Sequence, residues 1–70
     1  MKRYTLAELE AMPTISQGHM EDLKIEVENI KVWLSRMTVE DGMPYNNQVT
    51  VENYDTINGR WETVAEYQAK

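Results

Sequence analysis

Seventy residues, 41% of them apolar, suffice for one domain whose core is small enough to need unusually good packing or a second subunit. With no cysteine, disulfide stapling and thiolate metal clusters are excluded, and no apolar run approaches the roughly 20 residues that a membrane helix needs. The formal charge of −5 is dispersed (neutral over residues 1–20, −3 over 21–41, −2 over 42–70), which argues against direct nucleic-acid binding, because phosphate-backbone binders carry a basic stripe, and suits a basic partner.

Residues 1–20 read as a helix and a connector. Lys2 and Arg3 are followed by Thr5, Glu8 and Glu10 where the apolar stretch of a signal peptide would stand, so a cytoplasmic protein is expected. Thr5-Leu6-Ala7-Glu8 is a capping box, and Tyr4 and Leu9 have the spacing of a hydrophobic staple. The helix starts at Leu6 and ends ahead of Pro13, with Leu6, Leu9 and Met12 on one side. So short a helix must lie on an apolar surface. The connector from Thr14 to Met20 is expected to tuck in Ile15 and Met20, with a bend at Gly18 and His19 as a surface imidazole.

Residues 21–37 predict a β-hairpin folded about Glu28-Asn29. That register pairs Val27 with Ile30, Ile25 with Val32 and Leu23 with Leu34, placing six branched apolar residues on one face. On the other face Glu26 meets Lys31, Lys24 meets Trp33, and Glu21 reaches Arg36. Glutamate tolerates positive φ poorly, which leaves open a turn one residue longer.

Residues 38–47 form an irregular loop that combines Asp41-Gly42, Pro44 and Asn46-Asn47. A second hairpin follows over 48–67, with its turn at Thr56-Ile57-Asn58-Gly59. A four-residue turn opposes Asp55 to Arg60, Tyr54 to Trp61 and Val51 to Val64. A three-residue turn with Gly59 as a bulge sets Trp61, Thr63 and Ala65 beside Val49 and Val51. Both registers stay open. The expected architecture is α+β: a short N-terminal helix packed on a four-stranded antiparallel sheet made of two hairpins. One helix covers one face only, and Trp33 projects from the other with Tyr54 or Trp61 as company. A partner is expected there, most simply a second copy in a homodimer or higher oligomer.

Catalytic signatures are missing. The only serines are Ser16 and Ser35, the single histidine stands in a connector, and Gly18, Gly42 and Gly59 lie in unrelated turns rather than in a phosphate-binding loop. The spacing of Glu40, Asp41 and Asp55 matches no cation-binding loop. No enzyme, cofactor or metal is expected. Trp33, Arg36, Tyr45, Asn46, Asn47, Arg60 and Trp61 are instead the residue types favoured at binding centres, where aromatics give rigid contact area and Arg and Asn give directional hydrogen bonds.

The stretches Trp33-Leu-Ser-Arg-Met-Thr-Val-Glu-Asp-Gly-Met-Pro-Tyr-Asn-Asn-Gln-Val-Thr-Val-Glu52 and Asn58-Gly-Arg-Trp-Glu-Thr-Val-Ala-Glu-Tyr67 resemble small proteins carried by bacteriophages and prophages. The resemblance covers about half the chain, rests on texture and transfers no catalytic residue. It implies a phage-encoded inhibitor or modulator of a host protein, such as a defence protein, that acts by occupying a macromolecular site. Two alternatives stand beside it: a homo-oligomer that sequesters a nucleotide signal with Arg36, Arg60 and the Tyr45-Asn46-Asn47 loop, and a structural accessory of a virion.

Overall fold

A computed structural model describes residues 3–36 and 47–70. Helix α1 (Leu6–Ala11) precedes five strands, β1 (Ser16–Gln17), β2 (Glu21–Val27), β3 (Ile30–Ser35), β4 (Gln48–Asp55) and β5 (Arg60–Gln68). They form one antiparallel sheet in the order β1-β2-β3-β4-β5, so each strand pairs with its neighbour in sequence. The α+β class is as expected, but the sheet has five strands, not four. The extra strand is part of the connector: Ser16 pairs with Leu23 and Gln17 with Asp22, and Gly18 N donates to Glu21 O to close a tight turn. Two residues carry too little alternation to announce a strand.

The helix begins and ends where its residues dictate. Glu8 N donates to the Thr5 hydroxyl and Thr5 N donates to the Glu8 carboxylate, which satisfies two otherwise unpaired amides. Met12 is already extended, ahead of Pro13. Leu9 is fully buried among Val32, Leu34, Val49, Val51 and Ala69, with Tyr4, Leu6, Met12, Ile25, Ile30, Ala65 and Tyr67 around them. The C-terminus completes this layer: Leu6 N donates to Lys70 O, and Tyr4 N donates to the Tyr67 hydroxyl.

The first hairpin turns at Glu28-Asn29 as drawn, with no added residue. Glu28 itself takes the positive φ of 50°. Val27 pairs with Ile30 and Ile25 with Val32, and then a bulge at Lys24 shifts the ladder, so that Leu23 stands opposite Trp33 and Asp22 opposite Leu34. Three expectations fail together for this reason. Leu23 leaves the apolar row, where Leu34 faces Asp22. Lys24 does not meet Trp33; its Nζ donates to Met12 O and the Thr14 hydroxyl. Arg36 pairs with Asp22, Nε to Oδ1 at 3.0 Å, in place of Glu21.

The second hairpin combines both registers left open by its sequence. Asp55 pairs with Arg60 and Tyr54 with Trp61 across a four-residue turn, and then a bulge at Val64 brings Ala65, not Val64, opposite Val51. Gly59 supplies the left-handed residue at φ 68°.

The helix is about 9 Å long and the longest strand about 30 Å, so α1 covers only part of its face. It sits at the end where β3 stops and β4 begins, and Val27, at the turn end, is 58% exposed. Ile15 and Met20 are exposed too, contrary to the expected burial. The connector runs as an edge strand with its polar backbone engaged rather than folding inward. Among the described residues no helix is long and apolar enough to cross a membrane.

Candidate recognition face

Cross-strand partners share a face, so the register assigns every strand residue to one side of the sheet. The side under α1 receives Ile30, Val32, Leu34, Val49, Val51, Ala65 and Tyr67. The opposite side receives Trp33 beside Thr50, Lys31 beside Glu52, and Tyr54 beside Trp61. The two bulges matter here. Without the one at Lys24, Leu23 would lie under the helix instead of beside Trp33. Without the one at Val64, a single register would not carry both Trp61 and Ala65 to their places.

On this face the aromatic and charged side chains order one another. Trp33 Nε1 donates to Glu52 Oε1 at 2.5 Å, a charge-assisted bond that fixes the indole. Lys31 Nζ lies 4.4 Å from the centre of the Trp61 ring, within cation–π range, and 3.7 Å from Glu26 Oε2. Tyr54 meets Trp61 edge-to-face, with 5.3 Å between ring centres and 69° between planes. Gln48 Nε2 donates to Glu66 Oε2 at 3.3 Å. Toward the end where β3 stops, Met20, Glu21, Ser35, Gln48 and Thr50 line an open groove of about 270 Å³. At Gly18 an added Cβ would stand 3.3 Å from Glu21 O, a tight approach to backbone, and 3.4 Å from Trp33 Cζ3, an ordinary contact, so the β1–β2 turn lies against the indole.

The residues singled out from sequence divide three ways. Trp33 and Trp61 share this face. Arg36 lies past the end of β3 on the helix side, where its guanidinium also donates to Gly18 O and, at 3.2 Å, to His19 O, clamping the β1–β2 turn. Arg60 is at the other end of the sheet, on the helix side, beside Glu62 with Nε 3.3 Å from Oε1. The two arginines thus form no common site within one chain. Asn47 adopts φ 54° and accepts from Ala69 N through its carbonyl, tying the start of β4 to the C-terminus. Tyr45 and Asn46 lie outside the described residues, as does most of the irregular loop.

Lys31, Glu52, Tyr54 and Glu66 belong to the face but were not among the residues selected from sequence. Lys31 and Tyr54 were already expected on the Trp33 side; the signal for Glu52 and Glu66 was the β3–β4 register, which the intervening long loop leaves undefined until Val32 is set opposite Val51. Among the described residues no cluster of three His, Asp or Glu side chains could hold a metal ion. No protein-family model, curated protein or solved structure matches the chain.

Proposed function

We propose that this chain is a small acidic binding protein without catalysis of its own, which occupies a site on a macromolecular partner through the sheet face bearing Trp33, Tyr54 and Trp61. The observation that carries the reading is the ordering of that face. Two indoles and a phenol stand on the side opposite the only helix among the described residues, and a hydrogen bond, a cation and edge-to-face packing hold them in place. Rigid aromatics lose little conformational freedom on binding, which is why they dominate interface energetics. The texture shared with small phage proteins supplies a setting, a phage-encoded modulator or inhibitor of a host protein in the bacterial cytoplasm. A nucleotide-sequestering role draws less support, because Arg36 and Arg60 stand at opposite ends of the sheet.

The reading is tested by placing a photo-crosslinking residue at Thr50 or Thr63, on this face, and at Ala7 or Glu10, on the exposed side of α1, in protein expressed in bacteria. A discrete adduct from the first pair and none from the second is expected. Adducts indifferent to position, or none from any position, would reject it.

A further inference from the structure

The charge of the sheet is sorted by face. On the helix side Asp22, Asp55 and Glu62 are matched by Lys24, Arg36 and Arg60. On the opposite side Glu21, Glu26, Glu52 and Glu66 face a single cation, Lys31, for a net −3 among the aromatics. The sequence alone suggested dispersed acidity; the pleat gathers it. Resting on the recognition reading above, we infer that the partner of this face is a basic protein surface, whose arginine and lysine side chains sit over the indoles and between the glutamates.

Two observations choose this occupant over a second copy of the chain. Juxtaposing two faces of net −3 opposes like charges at short range, whereas a basic surface would neutralise them. The face also already seats one cation in the manner proposed: Lys31 lies over Trp61 with Glu26 beside it. An incoming guanidinium would find the same pairing of ring and carboxylate at Trp33 and Glu52, where the carboxylate is held by the indole N–H and keeps acceptor capacity to spare.

Both tryptophans of the chain lie on this face, so fluorescence excited selectively at the indoles reports on it. The probe is a synthetic oligo-arginine peptide titrated into the intact protein, with oligo-glutamate as its counterpart. Saturable binding of oligo-arginine that weakens as salt rises is expected, with no response to oligo-glutamate. The double variant E52Q/E66Q, which preserves hydrogen-bonding shape, should bind roughly tenfold more weakly, while E10Q/E62Q, equal in net charge but altered outside the face, should stay within about twofold. Circular dichroism verifies that both variants fold. Equal weakening in the two variants would mean diffuse attraction and overturn the proposal, as would an absence of saturable binding. A dimer in light scattering that Trp61→Ala dissociates would overturn it too, by giving the face to a second copy. A discrete crosslinked adduct from Thr50 or Thr63 alongside a failed oligo-arginine titration would leave the recognition reading standing and remove only the basic partner.

Discussion

Leu23 stands across from Trp33, one step out of phase with the pairing of Val27 and Ile30 at the turn. The bulge at Lys24 absorbs the difference, and it decides what each face of the sheet can do. Leu23, 4% exposed, is buried beside the indole rather than under the helix, giving the recognition face an apolar floor, while Lys24 swings to the helix side and secures the chain after α1 through Met12 O. Replacing Lys24 with methionine keeps the aliphatic stem and removes both hydrogen bonds. A loss of about 1 kcal/mol in urea unfolding is expected, with the Trp fluorescence of the native state unchanged, since the altered bonds lie on the other side of the sheet.

Leu9 is the only helix residue that is fully buried, and it is the link between α1 and the sheet. Leu9→Ala should cost about 2–5 kcal/mol, a large fraction of what a domain this size can have in total. Leu9→Met, nearly equal in volume, should cost less than about 1.5 kcal/mol. Thermal unfolding followed by circular dichroism separates the two.

Glu28 occupies a left-handed conformation that side chains with a Cβ adopt at a cost. Asparagine tolerates that region without adding the unfolded-state freedom of glycine. Glu28→Asn should therefore raise stability by about 0.5–1 kcal/mol, seen as a higher urea midpoint at unchanged slope.

Where neighbouring residues decide an element, the sequence was legible. Thr5 and Glu8 define the start of α1, Pro13 limits it, and Asn58-Gly59 marks a turn. Both faces of the tip half of the first hairpin also follow from alternation, because Glu26 with Lys31 and Val27 with Ile30 agree on one register. Legibility stops at the bulges. An inserted residue such as Lys24 or Val64 costs little locally, and its benefit comes from contacts far along the chain: Met12 O for the first, and Val51 opposite Ala65 for the second. The pairing of β3 with β4 was hidden in the same way, since ten residues outside the described structure separate Arg36 from Asn47. Glu52 and Glu66 could join the site only once that register was known, whereas Lys31 shares the Trp33 side by alternation within β3.

Arg36 compensates a carboxylate that is otherwise poorly served. Asp22 Oδ1 is buried and accepts no hydrogen bond, and its counter-charge is the guanidinium at 3.0 Å. Arg36→Ala leaves that charge unpaired and frees the Gly18 and His19 carbonyls. A cost of about 1–2 kcal/mol is expected, moderated because the arginine is 42% exposed. In the Asp22→Asn background the same substitution should cost markedly less. A double-mutant cycle measures the difference, and strict additivity would contradict a coupled pair.

Asp55 links the β4–β5 turn to pH. Its carboxyl is held below its ordinary value first by the Asn58 side-chain amide, then by the backbone N–H groups of Asn58 and Ile57, against a small opposing effect of burial. The three hydrogen bonds measure 2.6, 3.2 and 2.9 Å. Because the folded state prefers the ionised form more than the unfolded chain does, the contribution is fully present above the unfolded value near 3.8 and is lost as pH falls through the lower folded one. Asp55→Asn should therefore be less stable than the parent at neutral pH, and the gap should close in strong acid. Urea unfolding at neutral and acid pH checks this. A gap that stayed constant with pH would show that the ionised carboxylate has no part in holding the turn.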